Sequence, residues 1–143
     1  MKKKMCLVLV LINVVLMSCG QGVNAQAPEA VKKTFQTKYP GENDPDWHLD
    51  AHDNYESNFK IDGIKYRADF RPTGEWIETE TSIDFDELPK VIRDIIEKDY
   101  NDSEITEVEK VEHHSKGLFY DVEFKRKGKN KDVEFNASGE ILN

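Results

Sequence analysis

Apolar and polar residues alternate along most of this chain with the period of a β-strand. In residues 55–61 and 64–70 every second side chain is apolar or small, and mostly charged residues lie between them. The Asp62-Gly63 pair that separates these segments is typical of a hairpin turn. Residues 118–125 alternate in the same way. The pattern predicts antiparallel strands with one apolar face and one polar face.

Two other segments have the spacing of an amphipathic helix. After Pro28, apolar side chains recur every four residues, at Val31, Phe35 and Tyr39. This spacing places them on one helix face. The pattern recurs 61 positions later, with Pro89, Ile92, Ile96 and Tyr100. Because proline is favoured in the first turn of a helix, we expect the helices to begin at these two prolines.

A hairpin motif is also repeated. Phe70 lies four residues before Gly74, and Phe135 lies four residues before Gly139. Glutamate follows the glycine in both motifs. Each motif predicts a strand, a tight turn that ends at glycine, and a return strand.

Together these patterns predict an α+β domain over residues 28–143, built from two repeats, 28–82 and 84–143. Each repeat is one helix followed by four short antiparallel strands. A unit of about 60 residues buries only a thin core by itself, so we expect the repeats to join. The predicted product is one eight-stranded antiparallel sheet with two helices on one face and the other face open.

Residues 1–27 are predicted to be a leader and tether rather than part of the fold. Three lysines precede an apolar run at residues 5–17, which is shorter than the roughly 20 residues of a membrane helix, so the segment indicates a secretory signal. The segment around Cys19 resembles a bacterial lipobox, in which Cys19 would be lipidated. Cleavage after Ala25 or Ala27 is the alternative. We expect an exported protein of the periplasm, soluble or held at the membrane by a lipid anchor.

Charge narrows the range of partners. Residues 1–27 contain three Lys and no acid, so 17 basic and 28 acidic residues remain after them, a net charge of −11. This balance argues against nucleic acid and anionic lipid as partners, because both require a basic surface. Both cysteines lie in the leader, so the folded part has no disulfide. We expect a monomer.

The leader, the helices that begin at proline and the doubled Phe-x-x-x-Gly-Glu hairpin resemble the PepSY-like, β-lactamase-inhibitor-like proteins of Bacteroidetes. The resemblance covers residues 28–143. It implies a fold like that of β-lactamase inhibitory protein, in which tandem units of a helix and four strands present a concave sheet to a target enzyme. Unlike that inhibitor, this chain has no cysteine in its folded part, and the inhibitor's target-contacting loops have no recognisable counterpart here.

No motif for a nucleophile, a cofactor or paired catalytic carboxylates is recognisable, so we predict neither an enzyme nor a cofactor. Polar side chains at His48, Asp50 and His52 are spaced to project from one strand face. Three side chains stretched over roughly 13 Å of strand do not converge on one metal ion, so no metal site is predicted.

The open sheet face is the predicted binding surface, in contact with a protein or peptide of the cell envelope. Alternation assigns to it the candidate contacts His48, Asp50, His52, Lys65, Arg67, Phe119, Asp121 and Glu123. Phe119 is predicted to be an exposed aromatic within this polar face. Two alternatives remain: binding of a small ligand or metal near His48 and His52, and inhibition of a secreted hydrolase or peptidase.

Overall fold

The computed structural model describes residues 23–24 and 26–143. The helices are α1 (Glu29–Lys38), a short 3-10 helix (Phe85–Glu87) and α2 (Lys90–Asp99). The strands are β1 (Val23–Asn24), β2 (Asp46–Leu49), β3 (Tyr55–Ile61), β4 (Ile64–Phe70), β5 (Trp76–Ser82), β6 (Glu104–His113), β7 (Gly117–Arg126) and β8 (Lys129–Phe135). The signal sequence and the lipidation predicted at Cys19 lie outside the described residues.

All strands form one antiparallel sheet in which each strand pairs with its neighbours along the chain. The predicted α+β architecture of two helices and a single antiparallel sheet is therefore correct. Seven of the strands lie between Asp46 and Phe135, and the two-residue β1 pairs with β2 at one edge.

The four strands expected after the second helix are not all present. β6, β7 and β8 form, but the return segment after Gly139 makes a single bridge, between Ile141 and Phe135. Just beyond it, the Leu142 N–H donates to the Glu134 carbonyl at 2.9 Å. One bridge is too short a pairing to form a strand, so the second half has three strands where the first has four.

Both helices lie on the same face of the sheet because their apolar stripes require a partner surface. Val31 and Phe35 of α1 are buried against β3 and β4 in a cluster rich in aromatic side chains. Ile92 and Ile96 of α2 are buried in a second, more aliphatic cluster with Val122 of β7 and residues of β6 and β8. Pro28 and Pro89 each directly precede the first helical residue, one position from the predicted start.

The two repeated turns have the same hydrogen bonds. In the first, the Gly74 N–H donates to the Arg71 carbonyl at 2.8 Å; in the second, the Gly139 N–H donates to the Asn136 carbonyl at 2.9 Å. Both glycines have a positive φ, +90° and +88°. A Cβ at Gly74 would lie 2.7 Å from the Ala30 carbonyl oxygen of α1, so this turn approaches the helix backbone too closely for any side chain.

The strand register sets which side chains share the open face. Arg67 on β4 lies opposite Glu80 on β5, and Glu80 lies opposite Val111 on β6. Val111 in turn lies opposite Phe119 on β7. In the next row, Asp121 of β7 lies between Glu109 of β6 and Glu134 of β8. The register shifts at Asp69/Phe70 and at Ile105/Glu107, so alternation cannot be counted through these positions.

Candidate binding site on the open sheet face

Arg67 lies at the centre of the candidate site. Its Nη2 donates to Glu80 Oε1 on the neighbouring strand, and its Nε lies 3.9 Å from Asp69 Oδ1 on its own strand. The Glu80 and Asp69 side chains are only 9% and 13% exposed, whereas the Arg67 side chain is 39% exposed. Arg67 therefore covers two buried carboxylates and keeps part of its own surface in solvent.

A shallow pocket of about 230 Å³ opens beside the Arg67–Glu80 pair. We call it the carboxylate pocket. Its lining residues are Arg67, Glu80, Glu107, Glu109, Asp121, Glu123 and Asp132. They come from five consecutive strands, β4 to β8, so the antiparallel register rather than any local motif brings them together.

Several polar atoms in and around this pocket have no hydrogen-bond partner among the described residues. They are Arg67 Nε, Asp69 Oδ1, Glu80 Oε2 and Asp121 Oδ1. Buried polar atoms are nearly always paired in folded proteins, and an unpaired one costs about 1–3 kcal/mol. Four of the five unpaired buried side-chain atoms of the described residues therefore lie on this one sheet face.

The electrostatics follow from burial. Burial raises the pKa of Asp69 to about 7; Arg67 opposes this, and the nearby carboxylates of Glu78 and Glu56 add to it. Burial likewise raises the pKa of Asp121 to about 6, with further repulsion from Asp132 and Glu134.

The carboxyl groups of Glu80 and Glu109 share a side-chain hydrogen bond across neighbouring strands. Burial is the largest cause of the raised pKa of each carboxyl, and Arg67 lowers both without compensating. The pair is therefore easier to protonate than an exposed glutamate.

The structure brings three of the predicted contact residues together. Arg67, Asp121 and Glu123 all line the carboxylate pocket. His48 lies on the same face but on β2, where it pairs with Glu56. Lys65 lies opposite Lys60 next to the β3–β4 turn, and it is exposed.

The expectation that His48, Asp50 and His52 project from one strand face is wrong. β2 ends at Leu49, so Asp50 and His52 belong to the turn before β3. Asp50 Oδ1 accepts the backbone N–H groups of His52 at 2.7 Å and of Asn54 at 2.9 Å, which makes it a turn-stabilising residue. Within the described residues, no group of three His, Cys, Asp or Glu side chains has the geometry of a metal site.

The expectation that Phe119 is exposed is also wrong. It lies on the open face, as alternation predicts, but it is only 3% exposed. Its cross-strand neighbour Val111 is 1% exposed, and the Lys116 Nζ lies 5.0 Å from the Phe119 ring centroid. The two apolar side chains cover each other, so Phe119 stabilises the sheet whether or not it also contacts a ligand.

Sequence reasoning missed Glu80 and Glu109, the most buried carboxylates of the pocket. Glu80 lies in a segment, residues 76–82, where threonine and glutamate alternate without a clear apolar face. Glu109 follows the register shift at Ile105/Glu107, which disturbs the alternation. One signal was available for Glu109, because β6 carries acidic residues at both alternating positions, which is unusual for a strand inside a sheet.

The fold defines a class of small proteins solved from Bacteroides species. A "putative periplasmic" protein of Bacteroides eggerthii superposes with a TM-score of 0.75 at 21% identity, over 83% of this chain and 88% of that one. A BLIP-like protein of Bacteroides fragilis superposes with a TM-score of 0.70 at 21% identity, over 83% and 85% of the two chains. At this identity the likeness establishes the fold.

The family follows from the sequence itself. The profile of the family described as "Putative beta-lactamase-inhibitor-like, PepSY-like" matches residues 53–142. The chain therefore belongs to the PepSY-like family, as its motifs indicated. No curated protein sequence matches it. Among the described residues, no helix is long and apolar enough to span a membrane.

Proposed function

We propose that this chain is a non-catalytic, exported binding module of the cell envelope, and that it contacts a protein or peptide through the open sheet face. The observation that carries the proposal is the carboxylate pocket, where charged groups of five strands converge around the buried Glu80. On a face that contacts only solvent, charged groups would be exposed and would have no desolvation cost. Here the charges are partly desolvated and left incompletely paired, as expected for groups that await a partner.

The size of the pocket supports a macromolecular partner. Pockets for small organic ligands typically enclose about 300–1,000 Å³ and are mostly apolar. The carboxylate pocket is smaller, at about 230 Å³, and it is lined by charged side chains. It fits one polar side chain of a larger ligand that also covers the surrounding sheet.

The contact residues of the proposal are those predicted from the sequence, centred on Arg67, Asp121 and Glu123, with Glu80 and Glu109 added. His48 and Lys65 belong to the same face at its first-half edge. Phe119 contributes by holding β7 against β6. Asp50 and His52 are peripheral, since they form the turn before β3, and a metal role for them has no support in the geometry of the described residues.

Export and anchoring complete the proposal. One structural relative is described as periplasmic. Ala27 is 3% exposed within the first core cluster, and Val23–Asn24 pairs with β2. Cleavage after Ala27 would remove both features, so the packing favours a cut nearer to Cys19, as in a lipoprotein. Mass spectrometry of the mature protein tests this, because an acylated N-terminal Cys19 is expected, and an N-terminus at Gln26 or at Pro28 would contradict it.

We also infer that the two halves, residues 28–82 and 84–143, descend from one duplicated unit. The matching hydrogen bonds of the Gly74 and Gly139 turns support this, as does the equal placement of α1 and α2 on the sheet.

Inhibition of a secreted hydrolase is a second candidate. The observation in its favour is the superposition on a BLIP-like protein with a TM-score of 0.70. It predicts saturable inhibition of an envelope hydrolase at one-to-one stoichiometry. Enzyme activity that is unchanged with the protein in tenfold excess would argue against it.

The binding role is tested by capture from an envelope extract with three forms of the mature protein: unmodified, Arg67→Glu and Lys33→Glu. Lys33 is an exposed residue of α1, away from the sheet, and it provides the same charge change as a control. We expect a protein captured by the unmodified and Lys33→Glu forms to be lost with Arg67→Glu. Circular dichroism must show that all three are folded. Equal capture by all three forms would contradict the proposal.

A further inference from the structure

β8 is the last strand of the sheet, and among the described residues it has a strand neighbour, β7, on one side only. The backbone groups of Glu134 point to the other side, because the Glu134 carbonyl accepts the Leu142 N–H at 2.9 Å. Backbone direction alternates along a strand, so Asp132 and Asn130 also present their N–H and C=O groups to this side. We call these three positions the outer edge of β8.

Residues 141–143 cover part of the outer edge, and they do so with a side-chain amide. Asn143 Oδ1 accepts the Glu134 N–H at 3.1 Å, and Asn143 Nδ2 donates to the Asp132 carbonyl at 3.3 Å. The acceptor and the donor of one planar amide thus occupy the places that the peptide groups of a further strand would take. The outer edge therefore already holds a substitute for an added strand.

Few contacts hold this cover in place. Ile141 and Leu142 are 47% and 45% exposed, so burial of apolar surface contributes little to their position. The hydrogen bonds of Leu142 and Asn143 to the outer edge reach Glu134 and Asp132. An incoming strand would therefore displace few contacts and would form the regular hydrogen bonds of an antiparallel pair.

We propose that the outer edge of β8 binds an extended segment of another protein as an added antiparallel strand, which displaces residues 142–143. Edge strands bind extended segments through main-chain hydrogen bonds, and the side chains beside the edge select the sequence. This surface is separate from the open sheet face, so the inference goes beyond the proposed function and does not depend on Arg67.

The charges of β8 argue against a second copy of this chain as the occupant. Two copies would pair antiparallel about a two-fold axis. An axis at Lys131 or at Asp132 places that residue opposite its own copy. An axis one residue further towards either end pairs Lys129 with Lys131, or Asp132 with Glu134. Like charges directly opposite each other destabilise a strand pair, so these registers are unfavourable.

The same charges define a segment that fits. Lys129 and Lys131 are exposed on the helix side of β8 and favour acidic residues opposite them. Asp132 is exposed on the other side and favours a basic residue, while Glu134 is already paired with Lys116 at 2.9 Å. In antiparallel order from Glu134 to Lys129, the fitting segment has two uncharged residues, then a basic, an acidic, an uncharged and an acidic residue. The occupant is thus a segment of mixed charge.

The test titrates the mature Asn143→Ala protein, which lacks the covering amide, with the peptide acetyl-Thr-Val-Lys-Glu-Thr-Glu-amide and records amide NMR spectra. We expect shifts of the amides of Asn130, Asp132 and Glu134. N-methylation of the third and fifth peptide residues, whose N–H groups would face β8, should weaken binding by about tenfold or more. N-methylation of the second and fourth residues, whose N–H groups would face away, should have little effect. No shift with the unmethylated peptide, or an equal loss with both methylated peptides, would overturn the proposal.

The covering role of residues 142–143 is tested by comparing the unmodified protein with Asn143→Ala and Leu142→Ala. Asn143→Ala should strengthen peptide binding by about threefold or more, because the peptide no longer competes with the side-chain amide. Leu142→Ala keeps the backbone N–H and the Asn143 amide, so this control should have little effect. Weaker peptide binding by Asn143→Ala than by the unmodified protein would contradict the proposed displacement and overturn the proposal.

Charge variants test the chemistry of the segment. Lys129→Glu with Lys131→Glu should weaken peptide binding by about fivefold or more, and replacing both glutamates of the peptide with lysine should restore it. Lys125→Glu with Lys127→Glu makes the same charge change in the same hairpin, on the β7 side and in the turn, and should have little effect. An equal loss in the two pairs would overturn the proposal, since it would indicate only the general field of a basic hairpin.

Two further measurements separate this surface from other binding modes. Arg67→Glu should leave peptide binding unchanged, and its loss in that variant would place the contact on the open face and overturn the proposal. Sedimentation of the protein without peptide should show no self-association. A dimer that is strengthened by Asn143→Ala would identify a second copy of this chain as the occupant and would also overturn the proposal.

Discussion

Each half of the sheet packs one helix against its strands, four strands in the first half and three in the second, and the two halves fill their cores differently. Under α1, Phe35 lies 5.0 Å from the Phe59 ring and 5.3 Å from the Trp47 ring, centroid to centroid, within a cluster of aromatic residues. Under α2, the equivalent position is Ile96, and its neighbours are mostly aliphatic. The comparison teaches that the turn and helix positions define this architecture, while the side chains that fill it can change in size and shape.

The largest expected effect comes from the centre of the aromatic half. Phe35→Ala should lower the free energy of unfolding by about 4 kcal/mol, because a fully buried ring leaves a cavity that its rigid neighbours cannot fill. Ile96→Ala, at the equivalent position, should cost about 3 kcal/mol, since aliphatic neighbours relax more easily. Urea unfolding measures both. A larger loss for Ile96→Ala would contradict the idea that the aromatic half is the less adaptable one.

The next largest difference in stability between the two halves is expected for substitutions at the glycine turns. Gly74→Ala should cost about 3 kcal/mol, because the new Cβ meets the Ala30 backbone and the φ is positive. Gly139→Ala should cost about 1–2 kcal/mol, because its nearest neighbour is the Ile95 Cδ1, the mobile end of a side chain. Gly63→Ala, where φ is +85° and the space is open, measures the backbone cost alone. Thermal unfolding that ranks Gly139→Ala above Gly74→Ala would exclude this explanation.

A polar contact occurs in the first half at a position where the second has no equivalent. Thr79 Oγ1 accepts the Trp76 Nε1–H at 3.0 Å and also shares a short hydrogen bond with the Tyr39 hydroxyl. Thr79→Val should cost about 1–2 kcal/mol, because it leaves the Trp76 N–H and the buried Tyr39 hydroxyl without their partner. The double variant Thr79→Val with Tyr39→Phe should recover part of this loss. No recovery would mean that the Tyr39 hydroxyl contributes little.

The smallest expected effect concerns the charges at the junction between the halves. Glu80 has a raised pKa, so the folded state binds its proton more tightly than the unfolded state, and stability must fall as the pH increases above about 4.5. Glu80→Gln removes this cost and should stabilise the protein by about 1 kcal/mol at pH 8, with no effect at pH 4.

The second half gives the matched comparison. Asp121→Asn should produce a smaller gain, lost as the pH falls below about 6, because the pKa of Asp121 is raised less. Denaturation at several pH values measures both changes. If Glu80→Gln destabilises the protein at pH 8, the Arg67–Glu80 pair stabilises the fold more than burial of the carboxyl costs.

The fold could be predicted largely because its signals are local. Phe59 and Phe70 occupy the apolar positions of clear alternating segments, and Asp62-Gly63 forms the expected tight turn with positive φ at both residues. The prediction of a return strand at Ile141 is wrong, because the motif defines a turn but not how many residues pair beyond it. Hydrogen bonding across strands, rather than the motif, decides strand length.

The candidate site could be predicted only in part, for the same reason. Arg67, Asp121 and Glu123 were assigned to the open face because each lies in a strand with regular alternation. The burial of Glu80 and of Phe119 could not be predicted, because it depends on which residues the neighbouring strands place beside them. Asp50 and His52 were misplaced because a short strand and a turn can share one alternating sequence.

The sequential order of the strands has a consequence for how the chain folds. Every strand pairs with the next one along the chain, so most contacts join residues that are close in sequence, and closing each hairpin costs little conformational entropy. The junction between β5 and β6 is different, because residues 83–103, including all of α2, separate the two strands. The hairpins on either side can each close without a contact from the other half. The carboxylate pocket, which spans that junction, is complete only once β5 pairs with β6.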